Sequence, residues 1–165
     1  MYNDIRREVV HILENYSDTQ RKISLLRYEL EHPRQITADE LIGALNFAHG
    51  EAGLPSAPGH ISNKTMYIAM SYQETAAKET QELINAIAMR LYPLEREVSR
   101  LQHYMKLLTP SHQMIIELYY FQQRTWEEIA ELKDMTPRTA QRLRQGAVAA
   151  LSEMYAYVYK QEDEI

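Results

Sequence analysis

Residues 109–151, TPSHQMIIELYYFQQRTWEEIAELKDMTPRTAQRLRQGAVAAL, decide the fold class of this chain. Three threonines punctuate the stretch, and each stands where a helix should begin. Thr109 precedes Pro110, whose fixed φ suits a first helical position; Thr125 has Glu128 three residues on, the spacing of a capping box; Thr136 precedes Pro137. These signals predict helices over 110–121, 126–133 and 137–151. The connection Lys133-Asp134-Met135-Thr136 is short enough to force a sharp turn between the last two, as in a helix-turn-helix.

The apolar positions agree with that geometry. Ile129, Ala130, Met135, Ala140 and Leu143 fall where two crossing helices must be apolar, with Ala130 small at the closest approach. Trp126 and Leu132 are expected to extend this core toward Ile116, Leu118, Tyr119 and Tyr120, and the run Tyr119-Tyr120-Phe121 reads as core packing. Asp134 stands at a turn position that calls for positive φ, which aspartate tolerates better than most residues.

If the last helix buries Ala140, Leu143, Ala147 and Leu151, then Arg138, Thr139, Gln141, Arg142 and Gln145 project from its other faces, with Thr136 and Pro137 at its start. Arginine donates two hydrogen bonds to guanine, glutamine pairs similarly with adenine, and a helix N-terminus favours phosphate. These seven residues are the expected DNA-binding set. The net charge of −5 argues weakly against nucleic acid, but residues 135–152 contain no acidic residue and carry Arg138, Arg142 and Arg144.

Working outward, Ile5, Val9, Ile12, Tyr16, Thr19, Ile23, Leu26 and Leu30 keep a four-three alternation and predict one long amphipathic helix, ended by His32-Pro33. Thr37 and Glu40 then form a capping box for a short helix containing Leu41, Ile42 and Leu45. Four of the five glycines lie between Gly43 and Gly59, so GEAGLPSAPGHISN reads as an irregular loop. A second heptad helix carries Ile84, Ile87, Leu91, Leu94, Val98, Leu101, Met105 and Leu108, and Pro93 inside it is expected to kink or divide it. The heptads leave two arrangements open, an intramolecular hairpin or the coiled-coil seam of a homodimer.

The expectation is therefore an all-α chain: residues 1–108 a helical extension with an irregular loop near 50–63 and a candidate dimerisation region, residues 109–165 a helix-turn-helix domain. No cysteine is present, which removes disulfides and thiolate chemistry. His11, His32, His49, His60, His103 and His112 lack metal-ligand spacing, and no HExxH, phosphate-binding glycine loop or nucleophile elbow occurs. No catalytic residue, metal or cofactor is expected. The start MYNDIRREVV is unlike a signal peptide, and no apolar run reaches the roughly 18 residues of a membrane span, so a cytoplasmic protein without membrane contact is expected.

The stretch LTPSHQMIIELYYFQQRTWEEIAELKDMTPRTAQRLRQGAVAAL resembles the C-terminal promoter-recognition domain of sigma-70 family factors, with EIAE followed by a capped last helix. With the heptad-rich segment ahead of it, the whole is similar to small phage regulators of late operons of the ArpU and RinA type. The resemblance implies recognition of a promoter-like element of double-stranded DNA by Arg138, Gln141 and Arg142, in concert with host RNA polymerase. Pro137 departs from the pattern, since many sigma factors place a basic contact there, and no aromatic and basic promoter-melting segment is present. Two other readings fit the same elements: the small subunit of a phage terminase, or a helical adaptor that contacts RNA polymerase.

Overall fold

The computed structural model describes residues 2–37, 39–40 and 63–162. Every regular element among them is helical: α1 (Tyr2–Glu14), α2 (Tyr16–Glu31), α3 (Asn63–Leu107), α4 (Pro110–Ile116), a π-helical segment (Glu117–Phe121), α5 (Trp126–Leu132) and α6 (Pro137–Glu162). The chain is all-α, as its periodicity requires. The glycine-rich stretch and the short helix expected beyond Glu40 lie outside the described residues, but the capping box ahead of that helix is formed. Thr37 N–H donates to Glu40 Oε2 at 3.2 Å, and Glu40 N–H to Thr37 Oγ1 at 3.3 Å.

The first heptad stretch is two helices rather than one, separated by Asn15. Asn15 Nδ2 and its own backbone N–H both donate to the His11 carbonyl, at 2.8 and 3.0 Å. A short polar side chain thus competes with the backbone for the same acceptor and loosens the helix locally. Pro93, by contrast, does not divide the second heptad helix, which runs unbroken through it. The carbonyl deprived of a donor belongs to Met89, a residue on the exposed side of the helix (78%). Leu91, Val98 and Leu101 meanwhile bury the opposite face.

Contacts divide the chain into two compact units, residues 1–24 with 93–165, and residues 25–92. This departs from a boundary at 108, and the cause is α1. Ile5, Val9, Ile12 and Leu13 of α1 share one core with Leu101, Leu108, Ile115, Ile116, Ile129, Ala147, Val148 and Leu151. The apolar side of α1 thus packs within this unit, chiefly against α6.

At the centre of this first unit is α6, packed against α1, α4 and α5. It extends to Glu162, eleven residues past the expected end at 151. Tyr155, on the added turns, is buried and meets Tyr104 edge-on at 5.0 Å. Tyr159 donates to Glu8 Oε1 at 2.9 Å, so the tyrosine-rich end of α6 is clamped to α1. In the second unit, Ile36 N–H donates to Thr80 Oγ1 at 3.1 Å beside the buried Ala76.

The helix expected over 110–121 changes pitch at Glu117. Gln122 N–H donates to the Glu117 carbonyl at 2.9 Å, a five-residue step, and Arg124 N–H to the Leu118 carbonyl at 3.0 Å. The wider turn buries Leu118 and Tyr120 and sets Tyr119 flat on Trp126, with ring centroids 4.1 Å apart. No glycine marks the turn that follows, where Gln123 takes φ 53°.

Candidate nucleic-acid interface

The interface is assembled from three local devices. At the start of α5, Thr125 Oγ1 accepts the Glu128 N–H at 3.2 Å while Glu128 Oε2 accepts the Thr125 N–H at 2.9 Å, completing the capping box. At its end, Asp134 adopts φ 49°, as the turn requires. Met135 N–H then reaches the Ala130 carbonyl at 3.0 Å and Asp134 N–H the Glu131 carbonyl at 3.5 Å, the paired closure of a Schellman turn. Immediately after, Thr136 caps α6 by accepting the Thr139 N–H at 3.2 Å. These bonds close the turn, and the α5–α6 crossing is made without a long loop.

The crossing is close because its contact residues are small. Ala140 is fully buried, Ala130 is 8% exposed, and Ile129 and the half-buried Met135 close over them. Leu132 does not join this core; it is 59% exposed. The buried stripe of α5 runs through Trp126, Ile129 and Ala130, and residue 132 lies roughly 120° around the helix from its centre.

With that face inward, Arg138, Gln141, Arg142 and Gln145 are all exposed on α6, as are Thr136 and Pro137 at its start, and Thr139 is half-buried. Six of the seven expected residues, Thr136, Arg138, Thr139, Gln141, Arg142 and Gln145, line one surface concavity of about 400 Å³. Pro137 lies outside it. Thr136 and Thr139 hydroxyls are 2.9 Å apart and already bonded to each other and to the cap, so their role is to hold the helix start. Among the described residues no ion pair holds Arg138 or Arg142, and both guanidinium groups are available to a ligand.

Arg144 behaves differently from its two neighbours. Its Nε donates to the Tyr120 hydroxyl at 2.8 Å, and its guanidinium lies 5.3 and 5.4 Å from the ring centroids of Tyr119 and Tyr120. Burial, opposed by Arg144, raises the Tyr120 hydroxyl above its ordinary pKa, so it stays a neutral partner. This Arg144–Tyr120–Tyr119–Trp126 cluster ties α6 to the π-helical segment and to α5. Nothing in the spacing of the arginines distinguishes Arg144; only its place around the packed helix does.

Gly146 completes the seating of α6. A Cβ there would lie 2.9 Å from His112 Nε2, so the missing side chain is what lets the α4 histidine approach. Among the described residues no group of three or more His, Asp or Glu side chains is placed to hold a metal ion. His49 and His60 lie outside the described residues. No described helix is long and apolar enough to cross a membrane.

The family described as "Protein of unknown function (DUF722)" matches residues 58–153, more than half of the chain. The chain belongs to that family. The DUF722 match takes in α4, α5, the turn at Asp134 and the part of α6 that bears Arg138, Gln141, Arg142 and Gln145. No curated protein matches the chain, and no solved structure matches it.

Proposed function

We propose that this DUF722 protein is a sequence-specific DNA-binding regulator of transcription, in which α5 and α6 form a helix-turn-helix and the first three turns of α6 enter the major groove. The observation that carries the reading is the unpaired, exposed row Arg138, Gln141, Arg142 and Gln145 on a helix whose start is capped and whose other face is anchored. Two guanidinium groups suited to guanine and two amides suited to adenine share one concavity, each good bidentate contact worth about 1–3 kcal/mol of discrimination.

The sigma-like sequence pattern supports a promoter as the target and a phage or prophage late operon as the setting, with activation alongside host RNA polymerase in the cytoplasm. With Arg144 turned inward, the first three turns of α6 offer two free cations per copy, Arg138 and Arg142. A second copy or the polymerase then supplies the remaining affinity. Catalysis, metal and cofactor have no part in this reading.

The test is selection of bound duplexes from random DNA, followed by gel-shift titration of the selected sequence. Parent protein is expected to enrich a defined motif. Arg138→Ala with Arg142→Ala should lower affinity for that motif by about tenfold or more and flatten the preference over unrelated DNA. Equal binding by parent and double variant would overturn the proposal. Enrichment of a packaging site bound by a ring assembly would replace it with a terminase role.

A further inference from the structure

The α1 helix carries a second cationic surface that the reading of α6 leaves unused. Arg6, Arg7, Val10, His11 and Glu14 line a hollow of about 540 Å³ on the side of α1 away from the core residues Ile5, Val9, Ile12 and Leu13. Arg6 and Arg7 are exposed, Arg7 by 84% at its side chain. The ion pair of Arg7 with Asp4 at 3.8 Å joins two largely solvated groups and is of the weak, salt-screened kind that exchanges readily for another anion. His11 adds ring nitrogens one turn further along, beside the Asn15 amide.

This face is rigidly joined to the reading helix. Glu8 of α1 accepts the Tyr159 hydroxyl of α6 at 2.9 Å, and Glu14, at the end of the hollow, lies close enough to Tyr120 to act on its hydroxyl. Tyr120 in turn holds Arg144, the neighbour of Gln145 in the α6 concavity. Both surfaces thus belong to one compact unit.

Resting on the DNA-binding reading of α6, we propose that Arg6 and Arg7, with His11, contact backbone phosphates of the same duplex beside the element read by α6. The partner is a nucleic-acid phosphate backbone because the open hollow sets two guanidinium groups and an imidazole against one carboxylate, Glu14, which suits an extended anion and carries no base code. It also supplies sequence-independent affinity to an acidic chain whose reading turns carry two free cations, Arg138 and Arg142.

The experiment compares parent, Arg6→Gln with Arg7→Gln, and Arg6→Lys with Arg7→Lys on the selected duplex and an unrelated duplex, titrated between 50 and 200 mM salt. The glutamine pair is expected to weaken both complexes alike, by roughly tenfold to sixtyfold near 0.1 M salt, and to reduce the slope of log K against log salt by about 1.8. The lysine pair should keep the slope. Thermal melting should be unchanged in both, since the side chains are exposed. An unchanged slope in the glutamine pair, with the parent still selecting its motif, would overturn this inference alone. An unchanged slope with lost self-association in light scattering would assign the face to a second copy and overturn it equally. A parent that selects no motif would overturn the α6 reading and this one with it.

Discussion

Arg144 Nε and the Tyr120 hydroxyl lie 2.8 Å apart, and that hydrogen bond turns the third arginine of α6 away from the face that displays Arg138 and Arg142. A charge-assisted bond of this kind is worth about 1.5–3 kcal/mol when its partners are removed from water. Tyr120→Phe is expected to lower unfolding free energy by roughly that amount in urea titrations. Arg144→Ala should cost at least as much, yet leave the salt slope of DNA binding unchanged, whereas Arg138→Ala should reduce that slope or relax base preference. A slope that falls in Arg144→Ala would place Arg144 on the DNA instead.

Asp134 holds φ 49° at the end of α5, a region where residues with a Cβ are disfavoured and glycine is not. Asp134→Gly should therefore be neutral or stabilising by up to about 1 kcal/mol, and Asp134→Val destabilising by about 1–2 kcal/mol. Thermal melts of the two variants check the sign, and a more stable valine variant would contradict the turn described here.

Gly146 and His112 should behave as a coupled pair. A helical glycine replaced by alanine ordinarily gains about 0.5–1 kcal/mol, but a Cβ here meets His112 Nε2 at 2.9 Å. Gly146→Ala alone is expected to show no gain, and to recover it in a His112→Ala background. A double-mutant cycle measures the coupling, with zero interaction energy as the contrary result.

Alkaline pH should loosen the junction of α6 with α1. Burial, with the hydrogen bond to and charge of Glu8, pushes the Tyr159 hydroxyl up to about 12, and burial raises Tyr155 as well. An unfolded tyrosine titrates near about 10. Because the folded values are raised, the stability these groups contribute is fully present below pH about 10 and is lost as pH rises toward about 12. Tyr159→Phe should flatten the fall in unfolding free energy over that range. Among the described residues the buried Tyr155 hydroxyl has no hydrogen-bond partner, so Tyr155→Phe should be stabilising by about 1 kcal/mol at neutral pH.

Much of the C-terminal third could be read from residues alone because its signals are local. Thr109, Thr125 and Thr136 each bond to a backbone N–H three residues on, and such caps depend on neighbours in sequence rather than in space. The inward set Ala140, Ala147 and Leu151 and the outward set Arg138, Gln141, Arg142 and Gln145 follow from helical period for the same reason. Leu132 lies outside the core despite its hydrophobicity, which does not by itself fix a residue's angle around a seven-residue helix.

The sequence by itself determined an all-α chain with its helix starts, the positive φ at Asp134 and the residues exposed on α6, since these rest on dihedral preference, capping and periodicity over a few residues. Tertiary structure alone decided the rest. It put the apolar side of α1 into the core of α6, kept α3 whole through Pro93, widened the helix at Glu117–Phe121 and drew Arg144 onto Tyr120. Apart from the passage of α3 through Pro93, these depend on partners far along the chain, where packing free energy outweighs the local preference of any one residue.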